Sequence, residues 1–213
     1  MKKKIVITVL VVGVVLIGVA LGGFFLLPKE NKEDARDEKG EAKPSYAMDI
    51  VEEEFSGSSK IDSFVGTSKA KGQTDPVAYM IENSTFLLDQ SSIEELVADQ
   101  LAGAESTANV QGVSVEEYLS DQGYDSVDSY TEKLTDDVTE FIKARMCVYE
   151  AAKELGISIT EEEYKELLPE YASRYGYDDP DEFSYVCRPG TIACEMLYDK
   201  TVTALSGEQV ENQ

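Results

Sequence analysis

The feature that most constrains this chain is an uncharged apolar run from Ile5 to Leu27, which follows three lysines at residues 2–4. As a helix at about 1.5 Å per residue, its 23 residues would reach roughly 34 Å, enough to cross a hydrocarbon core of about 30 Å. The lysines before the run and the acidic sequence after it predict a cytoplasmic tail at residues 1–4 and a domain outside the cell. We therefore expect a single-pass protein of the cell membrane that contacts the lipid bilayer through residues 5–27.

A cleavable signal peptide is the alternative interpretation of the same run. The apolar part of such a peptide is usually about 7–15 residues long and ends in a small-x-small cleavage site. Here the run ends in a bulky Phe-Phe-Leu-Leu-Pro stretch at residues 24–28, and the nearest small-x-small match, Ala-Leu-Gly at residues 20–22, lies inside the run. The sequence therefore favours an uncleaved anchor, and cleavage stays open as the second possibility.

The charge of the chain limits the partners that it can bind. It has 19 basic and 42 acidic residues, and after residue 29 the remaining 184 residues carry a net charge of −27. Nucleic acids require clusters of Lys and Arg on the surface that binds them. We therefore predict no nucleic-acid binding. The acidity favours solubility first, and attraction of basic client segments or cations second.

Histidine is absent and cysteine is rare. Without histidine the chain cannot form Ser-His-Asp or Cys-His nucleophile systems, and most zinc sites are excluded. Cys147, Cys187 and Cys194 are an odd number, which does not indicate a disulfide framework. Cys187 and Cys194 flank a turn-forming Arg-Pro-Gly, so they either approach each other or are two small buried residues. We predict no catalytic residue, no metal ligand and no cofactor, and we expect that the protein is not an enzyme.

Composition divides the chain after the apolar run into four segments. Residues 28–44 are charged, nearly free of apolar side chains and closed by a proline, which predicts a solvated stalk. In residues 45–74 apolar positions are interrupted by glycines and serines, and we interpret this segment as a short helix or an irregular lead-in. Helical signals dominate residues 75–205, and residues 206–213 are a polar tail.

Helix-start signals recur through the predicted helical domain. Asp75 before Pro76 is typical of an N-cap followed by proline in the first turn, with a helix to about Asn83. In a capping box, the side chain of the N-cap residue accepts a backbone N–H of the first turn, and a Glu three residues later accepts the N–H of the N-cap residue. The sequence predicts such boxes at Ser91, Ser114, Thr160 and Asp179. No strand-like alternation of any length follows residue 75. The predicted fold class is therefore all-α, with one transmembrane helix before the domain.

The longest predicted helix runs from about Val127 to Leu155 and ends at Gly156, a natural C-cap. Apolar residues recur along it every three, four or seven positions, which gives one apolar stripe. At about 43 Å, this helix is longer than a compact small domain needs. We expect Pro169 to kink or split the next helix, and a last helix over residues 191–205.

A short sequence occurs twice in related form. Residues 123–130, Gly-Tyr-Asp-Ser-Val-Asp-Ser-Tyr, match residues 176–183, Gly-Tyr-Asp-Asp-Pro-Asp-Glu-Phe, at Gly, Tyr, two Asp positions and the closing aromatic. Each copy follows a predicted helix and starts the next one. We interpret it as a joint in which glycine ends one helix, a Ser or Asp caps the next, and aromatic rings pack the corner. A calcium loop is the alternative for the acidic copy, although the EF-hand pattern is missing.

These joints resemble the C-terminal helical domain of bacterial trigger factor. The likeness rests on residues 113–130 (VSVEEYLSDQGYDSVDSY), residues 144–159 (ARMCVYEAAKELGISI) and residues 160–183, and it extends over about residues 77–205. Residues 81–86 also resemble the strand-free approach to that domain. The helical domains of SurA- and PrsA-type foldases are related in architecture. The positions that fit the family signatures are Gly112, Ser114, Glu117, Tyr118, Leu119, Leu155, Gly156, Ile157, Thr160, Glu162, Glu163, Tyr175 and Gly176.

The resemblance implies a chaperone-like module that holds unfolded or exported polypeptides outside the cell. Neither a ribosome-docking Gly-Phe-Arg-x-Gly-Lys-x-Pro segment nor an inserted prolyl-isomerase domain is recognised in the chain, so no isomerase activity is implied. Family members hold clients through apolar and aromatic side chains on long helices. The corresponding candidates here are Tyr118, Tyr130, Phe141, Tyr149, Tyr164 and Tyr171. Each of them could instead pack its own helix onto a neighbour.

The alternative function is a non-enzymatic interaction or structural subunit. Such a subunit would keep the same helical domain and use it to bind one dedicated partner. Suppression of the aggregation of unrelated clients would favour the chaperone, and one co-purifying partner would favour the subunit. The sequence does not specify the oligomeric state.

Overall fold

The computed structural model describes residues 59–187 and 189–207, and these residues are mostly helical. Within this part of the chain, eight helices and two short strands follow one another. Their bounds are β1 Lys60–Ser63, α1 Thr67–Ala70, α2 Pro76–Asn83, β2 Thr85–Leu87, α3 Gln90–Gln111, α4 Val115–Asp121, α5 Val127–Leu155, α6 Glu161–Arg174, α7 Pro180–Cys187 and α8 Pro189–Ser206. The predicted predominance of helix in the domain is confirmed.

The predicted membrane span at residues 5–27 lies outside the described residues. The same holds for the cytoplasmic tail, the stalk and the last residues of the polar tail. Between residues 59 and 207, leaving out residue 188, no helix is both long and apolar enough to cross a membrane.

The start of the domain contains a small antiparallel sheet. β1 pairs with β2, with Lys60 opposite Leu87 and Ile61 opposite Phe86. The expectation of a strand-free approach at residues 81–86 is therefore wrong, because β2 begins within it. The two strands are too short for an alternating pattern to be visible in the sequence. Their partly buried residues Ile61 and Phe86 pack against the core, and this tertiary packing accounts for the strands.

Most of the predicted helix starts are present. Thr160 forms the complete capping box of α6: its hydroxyl accepts from the N–H of Glu163 at 3.1 Å, and the Glu163 carboxylate accepts from the N–H of Thr160 at 3.0 Å. The side chains of three other predicted caps also accept a backbone N–H from the helix that follows: Asp75, Ser114 and Asp179. The predicted cap at Ser91 is wrong, because α3 begins one residue earlier and Ser91 lies in its first turn.

The long helix α5 has the predicted bounds, Val127–Leu155. Gly156 follows with φ of 65°, a left-handed conformation that a glycine adopts without steric cost. α6 continues through Pro169 as one helix, so the expected split does not occur. The last helix begins at Pro189, slightly before the predicted start.

The chain divides into two compact units. One comprises Gln90–Phe141, that is α3, α4 and the first half of α5, and we call it the inserted unit. The other includes residues 59–89 and 142–207, and we call it the main unit.

Two apolar clusters form the core of the main unit, and both draw on α5 and α8. The first joins α6 and α7 to α8, and its buried members are Ala152, Ile159, Tyr171, Ala172, Phe183, Ile192, Cys194, Met196 and Leu197. The second joins the lead-in and α2 to α5 and α8, and its buried members are Ala70, Val77, Met80, Cys147, Val148, Ala151 and Leu205. Residues 45–58 of the predicted lead-in lie outside the described residues, and its described part, residues 59–74, belongs to the folded core of this unit.

Polar contacts fix the same elements in place. The Glu154 carboxylate accepts from the N–H and the hydroxyl of Thr67, at 2.8 and 2.7 Å, and so ties the start of α1 to α5. The buried guanidinium of Arg145 on α5 forms an ion pair with Glu195 on α8. A buried charge left without its partner would cost several kcal/mol, so this pair specifies how α5 and α8 meet.

Candidate functional site

The joint between α4 and α5 has a tightly specified backbone in the inserted unit. Gly123 has φ of 91°, and the N–H of Tyr124 donates to the carbonyl of Leu119 at 3.0 Å, which closes the C-terminus of α4. At the start of α5, Ser126 and Ser129 each accept the other's N–H in their side-chain hydroxyls, at 3.0 and 3.1 Å. These bonds hold the chain direction between the two helices.

Three tyrosines meet at this joint, and we call Tyr118, Tyr124 and Tyr130 the tyrosine corner. The rings of Tyr124 and Tyr130 lie edge to face, with centroids 4.9 Å apart and an angle of 78° between their planes. Burial, and then the neighbouring phenols of Tyr124 and Tyr118, raise the pKa of Tyr130. All three side chains are half-buried. The corner thus unites two predicted client-contact residues with Tyr124, which the sequence analysis placed in the joint but did not propose as a contact.

The inserted unit is strongly and almost uniformly acidic. Residues 90–141 contain thirteen acidic residues and one basic residue, Lys133, which gives a net charge of −12. Lys133 forms an ion pair with Asp137 one helical turn away. The predicted client-contact residue Phe141 is half-buried at the end of this unit. Any polypeptide that binds here meets a negative field that Lys133 hardly reduces.

Tyr171 is the least accessible of the predicted client-contact residues. Its side chain is 4% exposed in the first cluster of the main unit, and its hydroxyl donates to Asp199 Oδ2 at 2.6 Å. The Arg174 guanidinium lies over its ring at 4.3 Å and also donates to Asp199 Oδ2, at 2.6 Å. Burial and then the Asp199 carboxylate raise the pKa of Tyr171. In this arrangement the side chain joins α6 to α8.

Tyr164 and Tyr149 are half-buried in the main unit. The hydroxyls of Tyr164 and Ser184 are 3.2 Å apart, which links α6 to α7. Burial raises the pKa of Tyr164. The Lys153 ammonium lies 5.0 Å from the centre of the Tyr149 ring, a cation–π contact along α5. The role of all six residues in client contact stays a prediction.

Exposed large apolar side chains are few in residues 59–187 and 189–207. The most exposed are Val110 on α3 and Tyr185 on α7, at 87% and 80%. Leu87 and Leu155 are the other two. Sequence reasoning did not single out Val110 or Tyr185, because their local patterns resemble those of the buried residues around them.

No disulfide joins Cys147, Cys187 or Cys194 in the described part of the chain. Cys147 is fully buried in the second cluster, and burial raises its pKa to about 12, which makes it unreactive at neutral pH. Across the described ranges, no group of His, Cys, Asp and Glu is arranged to hold a metal ion.

Comparison with known proteins identifies the class to which this helical domain belongs. The family model described as bacterial trigger factor protein (TF) C-terminus matches residues 68–204, well over half of the chain. The chain therefore belongs to the trigger factor C-terminal family, as the predicted resemblance indicated. Membership suggests a chaperone-like function and a polypeptide as partner.

Two further comparisons complete this result. A solved structure of trigger factor domains from Thermotoga maritima is similar over 62% of this chain and 78% of that chain, with 21% sequence identity and a TM-score of 0.47. Among curated proteins, none matches this sequence.

Proposed function

We propose that this protein holds unfolded or exported polypeptides and catalyses no reaction on them. The observation that carries the proposal is the family match over residues 68–204, because it includes both helix joints and all six predicted client-contact residues. The half-buried aromatic side chains support it, since they can contact a client without leaving their packed positions. Tyr118, Tyr130 and Phe141 of the inserted unit are the contacts that we favour.

The mechanism is apolar contact within an acidic surface. Aromatic rings supply contact area at a low cost in side-chain entropy, and weak contacts of this kind accept many sequences. The net charge of −12 over residues 90–141 keeps the loaded complex soluble through repulsion between complexes. Binding is then weak, broad and only modestly sensitive to salt.

The proposal extends to location. The lysines at residues 2–4 and the apolar run at residues 5–27 support a membrane anchor with a cytoplasmic N-terminus and an external domain. Protease added to intact, wall-stripped cells should digest residues 30–213 and leave a small membrane-bound stub. Protection of the domain would reverse the orientation, and a soluble form that starts near residues 20–23 would establish cleavage.

An aggregation assay tests the holding function. Residues 45–213 should slow the light scattering of two unrelated unfolded clients, at both low and high salt, and should leave the rate of prolyl isomerisation unchanged. The matched variants are Tyr118→Ala with Tyr130→Ala, and Tyr185→Ala as the control in the main unit. The proposal fails if neither client is protected, or if high salt abolishes protection completely.

One observation favours the alternative of a dedicated partner. Holding many clients needs a sizeable apolar surface, yet the described residues expose four large apolar side chains. A specific partner can be recognised with less apolar area when charges are complementary. Co-purification of one protein in stoichiometric amounts, together with no protection of unrelated clients, would establish this second function.

A further inference from the structure

The two related joints of the chain, residues 123–130 and 176–183, differ in the burial of their closing aromatic residue. At the second joint, Phe183 is 2% exposed within the first cluster. Its ring stacks on that of Tyr175, with the ring centroids 5.4 Å apart. At the first joint, the same position is Tyr130, which is half-buried and contacts Tyr124. If the aromatic residue at this position only packed the joint, a phenylalanine, as in the second copy, would be sufficient. Tyr124 has its counterpart in Tyr177, so the joints differ at Tyr130, whose phenol is a hydrogen-bonding group that the buried second joint lacks at this position.

The surroundings of the tyrosine corner determine the charge of what it can bind. Five carboxylates on α4, on the joint and on the first turn of α5 are exposed: Glu116, Glu117, Asp121, Asp125 and Asp128. No basic residue lies between residues 90 and 132 of the sequence. This surface therefore favours a positively charged segment and repels an anionic one.

We propose that the tyrosine corner binds an extended, proline-containing segment of a polypeptide that carries Lys or Arg beside its prolines. The inference rests on the proposed function, since it names one class of client segment and the residues that contact it.

The chemistry of a proline-containing segment matches the corner in two respects. A polyproline II segment makes no internal hydrogen bonds, so its carbonyls are free to accept from phenol hydroxyls, whereas the carbonyls of a helix are already bonded. Pyrrolidine rings pack on aromatic side chains, and the three half-buried tyrosines of the corner each keep part of their surface accessible.

Size and charge point to the same ligand. Three side chains form a small contact, which binds well only when the ligand loses little conformational entropy, and polyproline II is already extended before binding. A Lys or Arg next to the prolines can lie over a tyrosine ring and also approach the carboxylates around the corner. A neutral or acidic proline-rich segment lacks this second contribution.

Fluorescence anisotropy with labelled peptides tests the proposal on the full chain in lipid nanodiscs. The probe is a twelve-residue peptide with a central proline-rich segment flanked by arginines. Two control peptides replace the prolines by alanines, or the arginines by glutamates. We expect the probe to bind about tenfold more tightly than either control at low salt, and the preference over the glutamate peptide to shrink in high salt.

Variants assign the binding to the tyrosine corner. Tyr124→Ala should weaken binding of the probe by about tenfold, and Tyr124→Phe, which keeps the ring, by a smaller factor of about three. Tyr185→Ala removes an exposed tyrosine of the main unit and should leave the affinity unchanged. If Tyr124→Ala reduces the thermal stability of the protein, Tyr124→Phe decides the question alone.

Each outcome separates this inference from the proposed function. Equal binding of the three peptides, or an affinity that does not change in Tyr124→Phe, overturns the inference. If such a protein still suppresses aggregation of clients, the holding function stands and its contacts lie elsewhere. Selective binding of the probe that Tyr124→Phe weakens supports the corner as a docking site, whether or not aggregation is suppressed.

Discussion

Among individual residues, Tyr171 shows how a side chain predicted to contact clients can act within the core. Its hydroxyl and the Arg174 guanidinium share one acceptor, Asp199 Oδ2. Replacement by Phe keeps the ring and removes the hydroxyl, so the part-buried carboxylate loses one of these two donors. We expect Tyr171→Phe to lower the free energy of unfolding by about 2 kcal/mol, the usual contribution of a hydrogen bond to a charged group.

Urea denaturation of the two proteins measures this difference. Tyr185→Phe is the matched control, because Tyr185 is 80% exposed, and it should change the free energy of unfolding by less than about 0.5 kcal/mol. Equal effects of the two substitutions would show that the bond between Tyr171 and Asp199 adds no stability.

Two half-buried tyrosines also predict a loss of stability at alkaline pH. Burial raises the pKa of Tyr175 and of Tyr198 to about 12, from the ordinary tyrosine value of about 10. Between these values the unfolded chain has released the phenol protons and the folded protein has kept them. Since the unfolded state then binds fewer protons, stability falls as pH rises from 10 to 12, by up to about 1.4 kcal/mol per pH unit for each tyrosine.

Urea midpoints at several pH values between 8 and 12 test this expectation. Tyr198→Phe removes one of the two groups and should make the decline of stability above pH 10 less steep. An unchanged slope in this variant would contradict the assignment of a raised pKa to Tyr198.

At the level of helices and strands, the sequence predicted those features whose causes are local. The cap at Thr160 and the glycine at the end of α5 depend on residues within one turn, and both are present. β2 was not predicted, because its strand pairs with residues about 25 positions earlier and is stabilised by packing on the second cluster. The bond from Tyr171 to Asp199 joins residues 28 positions apart, so it too had no local signal.

The first half of α5 carries a stripe of like charges that should weaken this helix. Asp128, Glu132, Asp136 and Glu140 are all exposed and follow one another at intervals of four residues. Each such pair is repulsive by about 0.2–0.5 kcal/mol. Glu132→Lys converts two repulsive pairs into attractive ones, so we expect a stabilisation of about 1 kcal/mol at low salt.

Thermal unfolding at low salt and in about 1 M NaCl checks this prediction, because salt should remove most of the gain. Glu132→Gln removes repulsion without adding attraction and should give about half the effect. A stabilisation that does not depend on salt would assign the effect to helix propensity rather than to charge.

For the molecule as a whole, the division into two units was not predictable from sequence. The apolar stripe of α5 continues without a break through Phe141, where one unit ends and the other begins. The two halves of α5 differ only in the elements against which they pack. The first half belongs with α3 and α4, and the second half belongs with the lead-in and with α6 to α8. The sequence placed Tyr124 and Tyr130 in one joint, but only the structure showed that Tyr118 lies beside Tyr130.

The composition of the two apolar clusters leads to a prediction about folding of the main unit. Neither cluster contains a residue between 90 and 141. Replacement of Gln90–Phe141 by a flexible Gly/Ser linker of about 20 residues should therefore leave the main unit folded, with cooperative unfolding in urea. A linker of this length has a root-mean-square span of about 25 Å and imposes little strain on the ends that it joins.

The same deletion separates the functional contributions of the two units. It removes Tyr118, Tyr130 and Phe141 together with the charge of −12, so protection of unfolded clients should be lost while the fold remains. Cys147 provides an independent check of the fold, because a fully buried thiol in the second cluster should stay unreactive towards thiol reagents until urea unfolds the unit. Rapid labelling of Cys147 in the deleted protein would show that the main unit needs the inserted unit to fold. Full protection of clients by a folded deletion variant would instead place the client contacts in the main unit, at Tyr149 and Tyr164.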